Sequence, residues 1–297
     1  MGSKKLGLEC LKQIYKSDPK KLIAIITIDD SNDLRSNYSE IQAFGLEYKI
    51  PVYTAKNRLD SEKMIRKIKP DLCLVVGWYW LLTKEILDFL PYGAIGLHAS
   101  LLPKERGGAP LVWAMINGKE KAGVSLFAFD EGMDSGRIYG QEEVEIKPED
   151  YISDVLEKVE KMSLKLIKKN YIQLLRGTPT FWEQDHKDAT YCAQRNQAHG
   201  KIDWTKPARE VYNFIRAQSR PYPGAFSIFK EKKLIIWQAR PLDMVYYGHP
   251  GQIVQIKPEG VYIVCGDQKP LLIQTVQLES GSDQKASEVI DSIKHQL

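Results

Sequence analysis

The 297-residue chain lacks the marks of several large protein classes. Its four cysteines, Cys10, Cys73, Cys192 and Cys265, are too scattered for a metal cluster and too few for a disulfide scaffold. No apolar run approaches the ~20 residues needed to cross a bilayer. An apolar signal core is missing as well, because Met1-Gly2-Ser3-Lys4-Lys5 leads straight into an amphipathic stretch. Repeats and low-complexity tracts are absent. Neither sign of charge dominates: 42 Lys and Arg against 38 Asp and Glu leave +4, so nothing demands a nucleic-acid or membrane partner. What is present is ordinary globular composition, 43% hydrophobic and 27% charged, enough for a sizeable core. A cytoplasmic protein of one large domain or two ordinary ones is expected.

The first half alternates apolar strand-like runs with amphipathic segments, which predicts a parallel sheet with crossover helices. Strands are expected at 21–28, 50–54, 71–78, 94–98 and 123–129, the last with an antiparallel neighbour at 138–146. Helices are expected at 38–48, at 61–69 with a serine cap, and at 83–90. A long helix capped by Asp150 should run to about Leu175. After Gly177 the chain turns polar and irregular. The division read from this is a domain at 1–177, a linker at 178–205 and a second domain at 206–297. That second domain opens with a helix at 207–219 and continues as five short strands, with a closing helix at 285–295. Such a pattern suits a small barrel or sandwich.

Chemistry concentrates in two loops. A strand delivers His98 to its carboxyl end, where ligands bind in open α/β sheets, and Ser100, Arg106 and Gly107 follow. Glycines admit a ligand close to the backbone, and an arginine pairs with phosphate or carboxylate. The second loop is Asp130-Glu131-Gly132-Met133-Asp134-Ser135-Gly136. Neighbouring strands would place Asp134 and His98 on one rim, where a carboxylate orients an imidazole. Taken singly, a lone histidine is usually structural, and an acidic, glycine-rich loop is usually a solvated turn.

His98-Ala99-Ser100-Leu101-Leu102-Pro103, Arg106-Gly107, Asn117-Gly118 and Gly132-Met133-Asp134-Ser135-Gly136 together resemble the formyltransferase family that uses 10-formyltetrahydrofolate. Gly200-Lys201-Ile202-Asp203-Trp204, Ile215-Arg216-Ala217 and Pro221-Tyr222-Pro223-Gly224 resemble the junction and C-terminal domain of its two-domain members. The resemblance implies a Rossmann-like α/β domain followed by a small OB-like β-barrel. It implies direct transfer without a metal, His98 stabilising the oxyanion and Asp134 taking the amine's proton. The pterin would lie near Trp80, Leu81, Leu82 and Ile86 and against Asp130, Gly132 and Met133, with plain core packing the equal alternative for Trp80, Leu81 and Leu82. Ser100, Gly107 and Arg216 would meet the acceptor substrate, as would Arg106 and Tyr222, for which a loop-bracing salt bridge and a fixed domain junction are the equal alternatives.

Within the family, Val76-Gly77-Trp78 and Arg220-Pro221-Tyr222-Pro223 are similar to sugar-nucleotide N-formyltransferases. Methionyl-tRNA formyltransferases carry a basic loop where this chain has Asp29, Asp30 and Asp33, which would repel phosphates. The expected substrate is therefore a nucleotide-linked amino sugar. A tRNA enzyme is the alternative, a weakly active folate- or nucleotide-binding homologue a second, and a homodimer is compatible with the sugar-modifying relatives. Two departures stand out. Gly96 occupies the place of the family's usual asparagine, whose amide holds the formyl oxygen. The strand that normally opens the chain is missing, so an N-terminally shortened frame is expected.

Overall fold

Short parallel strands joined by helices organise the first half of the chain, in line with its alternating pattern. The computed structural model describes residues 1–297, which divide into two units. The first comprises 1–108, 122–144 and 157–192, and the second 109–121, 145–156 and 193–297. The stretch expected as a linker thus divides, 178–192 belonging to the first unit and 193–205 to the second.

The chain opens with α1 (Lys4–Ser17), β1 (Ile25–Thr27), α2 (Tyr38–Glu47), β2 (Val52–Thr54), α3 (Arg58–Ile68) and β3 (Cys73–Val75). It continues through α4 (Lys84–Phe89), β4 (Ala94–His98), β5 (Arg106–Gly107) and α5 (Pro110–Ile116). Next come β6 (Lys121–Ala128), β7 (Ile138–Glu145), α6 (Ile152–Leu175) and β8 (Tyr191–Cys192). β1 pairs in parallel with β2, and β3 with β4, Val75 standing opposite Gly96. β6 runs antiparallel to β4 with His98 opposite Ser125, and the order is β3-β4-β6-β7.

The first three residues bridge strand edges. Gly2 donates its amide to the Ile26 carbonyl at 3.0 Å, Met1 accepts from the Val76 amide at 3.0 Å, and the Ser3 amide reaches the Val76 carbonyl at 3.2 Å. Three residues thereby link the edges of β1 and β3, satisfying backbone groups that would otherwise cost about 1–3 kcal/mol each when buried. Gly77 ends the strand early: its φ is +62°, and a Cβ there would lie 3.0 Å from the Ser3 carbonyl oxygen. Of the expected 71–78, Cys73–Val75 form the strand and Val76 adds a parallel bridge to Gly2.

One cap differs from expectation. Asn57, not Ser61, caps α3 by accepting the Asp60 amide at 2.9 Å. Just before α6, Asp150 accepts the Lys147 amide at 2.7 Å, and Asp154 takes the Tyr151 amide at 2.7 Å. Ile26, Ile65, Val75, Ile86, Leu90 and Ala94 form the core beneath the site-bearing strands.

The second unit holds α5, α7 (Ala208–Gln218), β9 (Ala225–Phe229), β10 (Lys232–Pro241) and β11 (Ile253–Lys257). β12 (Gly260–Val264), β13 (Pro270–Leu278), β14 (Asp283–Lys285) and α8 (Ala286–Val289) complete it. The antiparallel order is β11-β12-β13-β10-β9, with β14 beside β13. The sheet is open, not the expected closed barrel, because its end strands β9 and β11 do not pair with each other. The Ile202 amide bonds the Phe226 carbonyl on β9. At the other end Gln252, just before β11, bridges to Gln296. The amphipathic α7 buries Val211, Tyr212 and Ile215 in the core made with Leu234, Ile236 and Ile273. The closing helix shrinks to the four residues of α8.

Candidate active site

His98 ends β4 and is buried, 8% exposed. Its Nε2 lies 2.7 Å from the Glu105 carbonyl oxygen. A carbonyl only accepts, so Nε2 carries the proton, and Nδ1 is the nitrogen left for chemistry. Nδ1 faces the Asp134 carboxylate at 3.6 Å, longer than a direct hydrogen bond. Imidazole and carboxylate therefore meet, as the sequence suggests.

They do not meet by sharing a rim. Because β6 is antiparallel to β4, the loop after β6 starts beside Ala94, where the Phe129 amide bonds the Ala94 carbonyl at 2.8 Å. The loop must fold back toward His98. Asp130 organises this return by accepting from the Gly132 amide and the Ser135 hydroxyl. Gly136 has no room for a side chain, since a Cβ would lie 2.0 Å from the Ala128 carbonyl oxygen. Asp134 itself adopts a left-handed backbone, φ +50°, an uncommon state for a non-glycine residue. Its carboxylate accepts the Gly107 amide at 2.8 Å, so Gly107 fixes the acid by its backbone. Gly107 has φ +93°, and a Cβ would sit 2.7 Å from the Cys192 carbonyl oxygen and 3.0 Å from Met133 Sδ.

Gly96 shares the face of His98, two residues away on the same strand. The space before it is filled with aromatic carbon. A Cβ on Gly96 would approach Phe129 Cζ to 2.8 Å and the Val75 carbonyl oxygen to 3.1 Å. Phe127, opposite Gly96, stacks edge-on against both Phe129 and His98. A phenylalanine ring thus occupies the place where the sequence resemblance would put an asparagine amide.

The other sequence-selected residues fall into distinct surroundings. Ser100 is fully buried and its hydroxyl braces the loop by donating to the Lys104 carbonyl. Arg106, 2% exposed, donates from Nε and Nη2 to Gln184 Oε1 and reaches His186 Nδ1 and the Tyr191 hydroxyl. Its guanidinium is engaged inside the first unit. Ile86 is fully buried core, Trp80 and Leu82 pack on that core, and Leu81 is 79% exposed. Trp80 meets Trp78 edge-on, and the Trp78 indole N–H is buried without a partner. Met133 is exposed on the loop. Arg216 and Tyr222 belong to the second unit, where buried Arg216 donates to the Lys147 and Asp150 carbonyls.

The acidic 29–33 segment is largely neutralised by its own neighbours. Lys4 contacts Asp30 at 2.7 Å and Asp33 at 2.8 Å, and Arg35 pairs with Asp33. Arg35 and Lys4 hold the Asp33 carboxyl well below the usual range. Burial would push Asp30 up, but bonds from Lys4, Ser3 and Ser36 outweigh it and leave its pKa low. Asp29, Asp30, Asp33, Lys56, Tyr79 and Trp80 line an open cleft of about 870 Å³.

Sequence reasoning missed Gln184, the Glu105 carbonyl and Phe129. Gln184 sits in a stretch with no periodicity to mark it, and a carbonyl leaves no residue signature. Phe129 offered a signal: an aromatic next to a strand whose partner holds a glycine.

A formyl transferase family model matches residues 11–170, and a formyl transferase C-terminal domain model matches residues 195–294. A methionyl-tRNA formyltransferase of Fusobacterium nucleatum is 33% identical over 98% of this chain and 95% of its own length. Further methionyl-tRNA formyltransferases are 29–31% identical. An N-formyltransferase from Helicobacter canadensis, solved with folinic acid and dTDP-3-aminofucose, superposes with a TM-score of 0.69. It is 19% identical and matches over 92% of this chain and 97% of that one. HypX from Aquifex aeolicus superposes with a TM-score of 0.65 at 17% identity over 90% of this chain, which spans about half of HypX, 47%. No helix is long and apolar enough to cross a membrane. With matched domains across both units and a full-length relative at this identity, the chain belongs to the formyl transferase family of enzymes.

Proposed function

We propose that the enzyme moves the formyl group of 10-formyltetrahydrofolate to the amino group of a nucleotide-linked amino sugar, of the kind built into surface polysaccharides. The observation that carries formyl transfer here is His98 Nδ1 facing the Asp134 carboxylate at 3.6 Å, with Nε2 held by Glu105. When the amine attacks the formyl carbon a C–N bond forms and charge develops on the formyl oxygen. A protonated Nδ1 donates to that oxygen, and Asp134 accepts the proton lost by the amine. Collapse breaks the bond between the formyl carbon and the folate nitrogen, which takes up a proton as it leaves. The ring of Phe129 over Gly96 leaves His98 as the side-chain donor on that face.

The choice of acceptor rests on the 29–36 segment. It packs on the start of α1, where Asp30 and Asp33 pair with Lys4 and Arg35 and Asp29 adds a third carboxylate, which gives no foothold for an acceptor stem. The sugar enzyme from Helicobacter canadensis aligns along almost its whole length. Identity near 30% to methionyl-tRNA formyltransferases supports the second reading, a tRNA acceptor.

The test is incubation with 10-formyltetrahydrofolate and either dTDP-3-aminofucose or methionyl initiator tRNA. Formylated sugar nucleotide with mild salt dependence is expected. Product on tRNA alone, weakening steeply with salt, overturns the sugar reading.

A further inference from the structure

We infer that Gln184 is the positioning residue that holds Asp134 in its working conformation, and that Arg106 orients Gln184 for the task. This rests on the reading of Asp134 as the proton acceptor.

Gln184 is 5% exposed and comes from 50 residues further along the chain. Its Nε2 donates to the Asp134 carbonyl at 2.9 Å and to the Gly136 carbonyl at 2.6 Å. Its Oε1 accepts from Arg106 Nε at 3.1 Å and Nη2 at 2.6 Å. Chemistry fixes the amide's orientation. A guanidinium only donates, so oxygen faces Arg106, and the two carbonyls only accept, so nitrogen faces the loop. All four bonds satisfy buried groups. A cation on Oε1 also polarises the amide and strengthens its donors toward the loop.

The target of this clamp is the residue that needs one. Asp134 has φ +50°, a conformation that persists in a non-glycine residue only when its surroundings enforce it. Two restraints reach it, the Gly107 amide on its carboxylate and Gln184 on its carbonyl. Arg106 and Gly107 are adjacent residues of β5, and β5 pairs with β8, which follows Gln184 after the short turn at His186–Asp188. The strand pair thus carries both restraints in fixed register. With the carbonyl released, the Gly107 bond is the one of these two restraints left on Asp134 itself, and the carboxylate is free to leave the 3.6 Å approach to His98.

Gln184→Glu keeps the acceptor for Arg106 and removes both donors to the loop. Gln184→Met removes the polar atoms while retaining the side chain's length. Crystal structures of the full chain are expected to show Asp134 displaced by about 1 Å or more with Arg106 in place. A displacement of that size costs up to about 10²-fold in turnover. In assays with 10-formyltetrahydrofolate and dTDP-3-aminofucose or methionyl initiator tRNA, kcat should fall about 10–10²-fold with KM for the folate within about threefold. On an Asp134→Asn background, Gln184→Glu should lower kcat no further, because its effect passes through the carboxylate. Asp134 unmoved in both variants, or undiminished kcat with Asp134 displaced, overturns the inference. So does a full additional loss on the Asp134→Asn background. If Asp134→Asn alone keeps the turnover of the natural chain, the underlying catalytic reading has failed and takes this one with it.

Discussion

Installing the family's amide at position 96 should fail as a single change and succeed as a double one. In Gly96→Asn, the first new carbon would stand 2.8 Å from Phe129 Cζ, 3.1 Å from Phe129 Cε2 and 3.1 Å from the Val75 carbonyl oxygen. Two of these contacts are the tip of a ring that can swing, and the third is backbone that cannot. Overpacking of this kind costs about 1–3 kcal/mol, which lowers Tm by roughly 2–4 °C per kcal/mol for a unit of this size. Phe129→Leu removes the ring tip. The double variant should be at least about 1 kcal/mol more stable than the sum of the singles, a coupling typical of residues in contact. Thermal unfolding of the four proteins measures it. Turnover supplies the second reading, since one oxyanion donor is worth about 10²–10³ in rate. The double variant should therefore outpace Phe129→Leu. Stabilities that add within about 0.5 kcal/mol refute the steric account, and equal turnover shows that the formyl oxygen does not lie over position 96.

Asp134→Asn should lower kcat by about 10²–10⁴-fold, the range of general acid–base contributions, with folate binding by calorimetry little changed; equal loss of affinity with kcat retained counts against the assigned role. Gly107→Ala places a methyl 2.7 Å from the Cys192 carbonyl oxygen, and should reduce both Tm and turnover through the lost bond to Asp134; unchanged values in both would contradict the geometry. Lys4→Met should cost about 1 kcal/mol at pH 7, as expected for a partly exposed ion pair. Asp30 and Asp33 have lowered pKa values, so their contribution is present above the unfolded value of about 3.9 and is lost as pH falls through the folded one. The acid limb of a stability–pH profile should accordingly be shallower in Lys4→Met, and an unaltered limb would show that Lys4 does not hold them.

Much of the fold is legible in the sequence where periodicity is strong. α2, α6 and α7 lie within a residue or two of their expected bounds, because apolar spacing sets the buried face of a helix. β3 is shorter than its apolar run, since Gly77 must turn beneath Ser3, a constraint set by a segment over 70 residues away. Open and closed sheets share one strand pattern, and the difference lies in whether the end strands pair with each other, which the sequence does not record. At the site, the pairing of His98 with Asp134 is readable from two motifs, but the route is not, because strand direction is a tertiary property. Arg106 shows the limit most clearly: an arginine in a glycine-rich loop reads equally as a phosphate ligand or as a loop brace, and only the tertiary structure reveals a buried donor to Gln184.

The two-residue strand β5 draws its partner from 85 positions downstream, and this has a bearing on synthesis. While the ribosome is still making the 178–192 segment, the sheet and its histidine can already exist, but the acid opposite has neither Gln184 nor the β5–β8 register to steady it. Such long-range closure is slow relative to local structure formation. A chain halted between the end of β7 at Glu145 and Gln184 would already contain every strand of that sheet but not the amide that steadies Asp134, so on the proposed reading catalytic competence follows the fold that houses it.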